Sequence, residues 1–333
     1  MEAHGIASVA VLGGGTMGGG IAGHLARAGL EVALADADPQ LTRQARERLL
    51  ARTREHVEAG LLDAASGERT GRVAVADGLE AAVAGAGLVI EAVPEDQALK
   101  EEVLMRVGAA APPEAIVATN TSSLPISGLA GAIARPARFL GVHWFNPPEW
   151  TPGIEVIAGP DTSRAVVERV LDFMRAVGKR PAEVGDRAAF VSNRLQMALM
   201  REALACVEEG LVTREDLDEV VRSTFGFRLP FFGPFLIADM AGLDTYASVF
   251  RTLEREVGPA FAVPGALQEL VDAGRVGTKS GEGFGTYSEA DRDALLLERD
   301  RRYAALGALL ADLPPPGADA DRPPPADRRS PAQ

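Results

Sequence analysis

Four histidines occur in the 333-residue chain: His4, His24, His56 and His143. His4 sits in a start expected to fray, His24 in a small-residue helix and His56 in a charged one. His143 ends an apolar run, in Gly141-Val-His-Trp-Phe-Asn-Pro-Pro148. Ligands of open α/β sheets bind beyond the carboxyl ends of strands, so this imidazole is placed for chemistry. Alone, a histidine at a strand end is more often a structural hydrogen-bonder. Glu155 follows in Gly153-Ile-Glu-Val-Ile157, where a carboxylate among apolar neighbours is costly unless paired. It reads either as an edge-strand residue in water or as a partner that orients His143 and stabilises its imidazolium.

A second set of residues could hold a nucleotide. Gly13-Gly-Gly-Thr-Met-Gly18 has the spacing G-x-G-x-x-G, follows the apolar run Ser8-Val-Ala-Val-Leu12 and opens a helical segment. Gly13 permits the tight turn, Gly15 lets the backbone approach a pyrophosphate, and Gly18 lets helix and strand pack closely. Thr16 and Met17 begin the helix whose amino terminus would face the phosphates. Asp36 ends the next run, Glu31-Val-Ala-Leu-Ala35, where an acid would bind the adenosine ribose hydroxyls. Its charge repels a 2′-phosphate and no Arg follows immediately, which favours NAD over NADP. FAD shares the fingerprint, and in a chain with 36 glycines the spacing alone also fits a plain turn. Strand, helix, strand and acid in that order favour a dinucleotide site.

The elements that must position these residues alternate along the first half. Strand-like runs fall at 8–12, 31–35, 72–76, 88–93, 115–119, 139–144 and 155–158, with helical patterns at 41–58, 97–109 and 162–177. That order predicts an α/β fold: an N-terminal Rossmann-type, doubly wound parallel sheet over residues 1–185. The character changes after Arg180-Pro-Ala-Glu-Val-Gly185. Helical spacing at 189–209, 215–225, 235–241, 244–257 and 266–273 predicts a smaller all-α domain over 186–312. The tail 313–333 is proline-rich, without large apolar residues after Leu313, and reads as disordered.

Composition narrows the classes further. Lys plus Arg number 34 against 47 Asp plus Glu, a net charge of −13 that disfavours nucleic acid and anionic lipid as partners. Cys206 is the only cysteine, so no internal disulfide or cysteine-rich zinc site is expected, and a reducing, cytoplasmic setting is. Residues 3–26 carry no Asp, Glu, Lys or Arg, but the segment lacks a basic start and its glycines would weaken a spanning helix. No other stretch offers a membrane span, and a soluble protein is expected.

From Ser8 to Tyr287 the sequence resembles the L-3-hydroxyacyl-CoA dehydrogenase family, including bacterial 3-hydroxybutyryl-CoA dehydrogenases. The motifs are Gly13-Gly-Gly-Thr-Met-Gly-Gly-Gly-Ile-Ala22, Glu91-Ala-Val-Pro-Glu-Asp96, Asn120-Thr-Ser-Ser123, Gly141-Val-His-Trp-Phe-Asn-Pro147 and Val191-Ser-Asn-Arg194. Gly233-Pro-Phe235, Gly242-Leu-Asp-Thr245 and Gly277-Thr-Lys-Ser-Gly-Glu-Gly-Phe284 follow. The resemblance implies a catalytic His143 paired with Glu155, with Ser122 and Asn193 holding substrate oxygens. It also implies that Glu95, Lys100, Asn120, Ser122 and Lys279 approach NAD, and that the protein is a homodimer joined through its helical domain. On their residue types alone, Ser122 suits a turn and Asn193 a helix cap. The implied reaction interconverts 3-hydroxyacyl and 3-oxoacyl groups carried as CoA thioesters.

The match departs from the family in three places. The segment 41–72, where CoA-dependent members tend to carry lysines, has none; Arg43, Arg46, Arg48, Arg52 and Arg54 alternate with acids, a pattern more typical of a solvated helix face. The family's frequent Phe-Tyr pair reads Phe284-Gly285. Trp150 stands between His143 and Glu155, placed either to shape an acyl pocket or to enter the core. These departures keep two other substrates open: a free hydroxy acid, as in the gulonate and carnitine dehydrogenases whose segment resembles Asn193-Arg-Leu-Gln196, and an acyl group on a carrier protein. A crystallin-like or NAD-sensing protein without turnover is the reading from another class. The presence together of His143, Glu155, Ser122 and Asn193 argues against it.

Overall fold

The run Ser8–Leu12 forms β1, at the centre of an eight-stranded sheet in a computed structural model that describes residues 5–313. The others are β2 (Glu31–Ala35), β3 (Ala74–Val75), β4 (Leu88–Glu91), β5 (Ile116–Thr119), β6 (Phe139–Trp144), β7 (Gly153–Ala158) and β8 (Arg180–Val184). Their spatial order is β3-β2-β1-β4-β5-β6-β7-β8. The chain starts in the middle, winds to one edge and returns to the other, so loops from both halves diverge above the carboxyl ends of β1 and β4. Successive side chains point to opposite faces: Val9 and Val11 enter one apolar cluster, Ala10 and Leu12 the other. Burial on both faces is why the central strands read as unbroken apolar runs.

Two features depart from the expected all-parallel sheet. β7 runs antiparallel to β6, because the connection 145–152 is shorter than the roughly dozen residues a parallel crossover needs. Arg180–Val184, not among the expected strands, forms the last strand, parallel to β7. Pro181 is tolerated there because an edge strand leaves one row of N–H groups unpaired.

The chain divides into two compact units between Glu202 and Ala203, inside the helix Ser192–Glu208 and later than the expected boundary at 185. β8 and the turn after it stay with the sheet. The described part of the second unit is helical, ending in Glu289–Asp312, with a looped segment at 277–286. Its small core of Ala238, Leu243, Ala247 and Leu267 lies beside a buried Asp239. That carboxylate accepts from the N–H groups of Phe284 and Gly285 (3.0 and 2.9 Å) and from the Tyr287 hydroxyl (2.7 Å). A Cβ on Gly283 would collide with it, so the glycine-rich motif at 277–284 is the wrapping of one buried acid. Residues 314–333 of the expected tail, and His4, lie outside the described residues.

Ile90, fully buried in β4, tests the core. Ile90→Ala is expected to cost about 2–5 kcal/mol of unfolding free energy, read from the urea midpoint. A loss below about 1 kcal/mol would mean a loosely packed centre.

Candidate active site

The antiparallel turn from β6 to β7 sets the register Leu140↔Ala158 through Trp144↔Ile154, and in it His143 stands opposite Glu155. Directly opposed residues share a face, so twelve residues of separation become a side-chain contact. The His143 Nδ1 lies 2.9 Å from Glu155 Oε2, with both groups buried. An ionised Glu155 requires Nδ1 to carry the proton, leaving Nε2 as the acceptor of a neutral ring. The imidazole is packed between Phe145 and Phe190, at centroid distances of 4.5 and 5.6 Å.

Glu155 has three further donors that sequence reasoning did not assign. Its Oε1 accepts from the N–H groups of Ser192 (2.8 Å) and Val191 (3.2 Å), and its Oε2 from the Ser192 hydroxyl (2.8 Å). The carboxylate therefore caps the amino terminus of Ser192–Glu208, where bare N–H groups and the helix dipole favour negative charge. Burial pushes its pKa up, but the bonds from His143 and Ser192 win and hold it below the usual carboxylate value. The turn that delivers these donors is strained: Ala189 and Phe190 adopt φ of 62° and 51°, a region L-residues avoid. The signal was the motif Val191-Ser-Asn-Arg194, whose serine is a typical helix-start residue.

A second polar network lies under the ends of β4 and β5. Lys100, 1% exposed, directs its ammonium to Glu91 Oε1 (2.8 Å), the Val93 carbonyl (3.2 Å) and Glu95 Oε2 (3.3 Å). Three donors thus have three acceptors in the protein, placing Lys100 beneath the site as a support. Glu91 Oε2 accepts from the Thr119 hydroxyl at 2.6 Å. Glu95 Oε1 gathers the Thr121 hydroxyl (2.6 Å), the Ser122 and Ser123 N–H groups (both 2.9 Å) and the Ser123 hydroxyl (2.9 Å), fixing the turn that carries Ser122. The Asn193 side-chain amide donates to the Ser122 carbonyl (2.9 Å), so these two candidates share one corner. Asn120 accepts from the Trp144 N–H (2.8 Å), which leaves its own NH₂ group for other partners.

At the glycine loop, Gly13 has φ 103° and approaches the Ala92 carbonyl so closely that a Cβ would overlap it. The helix Thr16–Arg27 begins at Gly15 with no side-chain cap, which leaves the N–H groups of its first turn open to an anion. Asp36 accepts from the Gly14 N–H (2.6 Å) and is steadied by the Thr42 hydroxyl, which accepts from its backbone N–H (2.9 Å). An uncapped helix start, a side-chain-free approach and an acid beside the loop fit the pyrophosphate and ribose of a dinucleotide.

Lys279 belongs to the second unit, where its ammonium pairs with both oxygens of Asp244 (2.6 and 2.7 Å). Trp150 neither enters the core nor touches His143; it is 45% exposed and meets the His56 ring edge-on at 5.5 Å. His24 donates to or accepts at the Val177 carbonyl distance of 2.8 Å, and only the donor role suits a carbonyl; burial and Lys179 push its pKa down to about 4. It is a neutral structural residue. Arg46 donates to the Val73 and Gly71 carbonyls (both 2.7 Å), Arg48 to that of Gly14 (3.2 Å), and Arg52 lies 3.7 Å from Glu149. This helix face is tethered to the protein and is not uniformly solvated.

A sheet of this order with an uncapped helix at its glycine loop and a histidine–carboxylate pair at a strand end defines a nucleotide-dependent dehydrogenase. Residues 8–187 match the family described as 3-hydroxyacyl-CoA dehydrogenase, NAD binding domain, and residues 190–287 its C-terminal domain. The chain belongs to the 3-hydroxyacyl-CoA dehydrogenase family, NAD-dependent oxidoreductases acting on a CH–OH group. It is 39% identical over 306 residues to the 5-formyl-3-hydroxy-2-methylpyridine 4-carboxylate 5-dehydrogenase of Mesorhizobium japonicum, covering 92% of this chain and 98% of the relative. It is 36% identical over 286 residues to a 3-hydroxybutyryl-CoA dehydrogenase of Mycobacterium tuberculosis, covering 85% and 99%. The crystal structure of an Archaeoglobus fulgidus 3-hydroxyacyl-CoA dehydrogenase superposes with a TM-score of 0.77 at 32% identity, covering 91% of this chain and 99% of that one.

Glu95 gives a pH signature. Burial raises its pKa, but the Thr121 and Ser123 bonds and Lys100 outweigh that and hold it at about 2, against an ordinary 4.5. A depressed carboxylate contributes stability that is fully present above its unfolded pKa and is lost as pH falls toward its folded one. Wild type should therefore lose stability between about pH 4.5 and 2, and Glu95→Gln should flatten that part of the curve of urea midpoint against pH. An unchanged slope would mean that the carboxylate is not held as described.

Proposed function

We propose that this protein oxidises the secondary alcohol of a 3-hydroxyacyl group, carried as a CoA thioester, to the 3-oxoacyl form, and reverses the reaction. The observation that carries the reading is the His143–Glu155 pair, which leaves one imidazole nitrogen as a free acceptor. NAD supplies the hydride acceptor when bound. Nε2 of His143 removes the hydroxyl proton as hydride leaves the same carbon, the general-base role that a neutral imidazole suits. Glu155 holds the ring in its acceptor tautomer and stabilises the imidazolium that forms. The Ser122 hydroxyl and the Asn193 amide are neutral donors suited to the substrate's carbonyl oxygens as charge shifts onto them. Gly13, Gly15, Thr16, Met17 and Gly18 hold the pyrophosphate and Asp36 the adenosine ribose. Asn120 and Lys279 are further cofactor contacts, and Glu95 and Lys100 fix the floor beneath.

The greater identity and longer match with the pyridine-carboxylate enzyme favour a second reading, a free carboxylated ring in place of the thioester. NADH absorbance with acetoacetyl-CoA, beside free acetoacetate and an aromatic aldehyde bearing a carboxylate, separates them. Oxidation of NADH with the thioester alone is expected; turnover of a free acid alone would move the assignment to the second reading. His143→Ala should lower kcat by ~10²–10⁴-fold with NADH affinity near wild type. An undiminished rate would remove the general-base role.

We also assign the protein to a reducing cytoplasm, with Cys206 as its single thiol, and to a homodimer. In the helix Ser192–Glu208 no residue is buried, and Met197, Met200 and Leu204, which share one side of it, are each more than half exposed. Such a face suits burial against a second copy. Light scattering should give about twice the 34.9 kDa chain mass, falling toward the monomer in Met200→Glu. A monomeric wild type at micromolar concentration would refute the assembly.

A further inference from the structure

The helix Glu289–Asp312 begins beyond residue 287, where the family match ends. Within the second unit its Tyr303 ring packs on Phe227 (5.6 Å), Phe232 (6.1 Å) and Phe231 (6.4 Å). The Arg302 guanidinium lies 5.8 Å from the centres of both Phe231 and Phe232, its charge matched by Glu298 at 2.7 Å. Beside this cluster is a cavity of about 260 Å³. Its apolar lining is Ile237, Met240 and Ala241; its polar lining is Arg228, Tyr303 and the pair Arg299–Asp300.

The charges of this lining do not cancel. Arg299 donates to Asp300 Oδ1 through Nε (2.9 Å) and Nη2 (2.7 Å), which neutralises both. Arg228 has no ion-pair partner among the described residues, so its charge stands unopposed at the cavity wall. A carboxylate supplies that countercharge, and its two oxygens match the guanidinium fork. The Tyr303 hydroxyl makes no hydrogen bond among the described residues and can donate to the same anion. Burial raises its pKa above the ordinary 10.0 while Arg228 and Arg299 pull it down, which puts both guanidinium groups within electrostatic reach of the phenol.

We propose that this cavity binds a small organic monocarboxylate, with its carboxylate between Arg228 and Tyr303 and its apolar body on Ile237, Met240 and Ala241. The net lining charge of one positive unit suits one carboxylate, and the apolar floor selects an organic acid over a mineral anion. The proposal stands independently of the substrate assignment, because it uses none of the residues around His143.

Calorimetric titration of the full chain with sodium benzoate at constant ionic strength tests it. Saturable binding at one site per chain is expected, weakened about 10-fold or more in Arg228→Met and about 3-fold in Tyr303→Phe, and unchanged in His143→Ala. Tyr303→Phe keeps the ring that packs on the phenylalanines, so it remains informative if the arginine variant unfolds. No saturable binding, binding insensitive to both substitutions, or loss in His143→Ala alone would each overturn the site. Initial rates then separate two sources of the acid: competition with the carbonyl substrate marks the substrate's own carboxylate, and non-competitive behaviour marks a separate effector.

Discussion

A carboxylate buried at a strand end either finds donors or takes up a proton, and the arrangement around Glu155 depends on its finding them. Four groups converge on its two oxygens: the His143 ring, the Ser192 hydroxyl and the N–H groups of Val191 and Ser192. Each imposes a geometric demand on a different part of the chain. The imidazole must stand opposite in the β6–β7 register, the helix must begin at Ser192, and the turn before it must pass through left-handed conformations at Ala189 and Phe190. The strain of that turn is tolerable because the bonds it permits keep a desolvated charge satisfied. Removing one partner of such an arrangement leaves the others with an uncompensated charge, so the site is stiff.

The same device recurs at the end of β4, three strands from β7. Glu91, Lys100 and Glu95 place two carboxylates around one buried ammonium, and Glu95 passes the order outward to the backbone of residues 121–123. Because Asn193 is bonded to the Ser122 carbonyl, the helix capped by Glu155 and the turn held by Glu95 meet. Glu155 on β7 and Glu95 after β4 thus fix the segments that meet at Ser122 and Asn193. The second unit repeats the principle with Asp239, which organises the segment 283–287 around a small apolar core.

Much of this was legible in the residues themselves. The alternation of apolar runs, the glycine loop and Asp36 follow local rules, and the strands β1, β2 and β6 fall where the pattern put them. Elsewhere local pattern was a poor guide. Arg180–Val184 contains a proline and little apolar content, yet pairs as an edge strand because β7 offers it a free row of hydrogen bonds. Lys100, expected from the resemblance to approach NAD, is buried with its ammonium held by Glu91 and Glu95, which compensate its charge. Trp150 falls between the paired residues in sequence but packs on His56, since the loop that carries it leaves the strand ends.

By itself the sequence determined the strand–helix alternation and the glycine loop that opens the first helix, because periodicity and glycine spacing act over a few residues. Only the tertiary structure decided which nitrogen of His143 faces a partner, what keeps Glu155 charged and which lysine and tryptophan lie near the chemistry. Those outcomes rest on strand register and on donors from segments tens of residues apart, and a buried charge is settled only by the full set of groups folded around it.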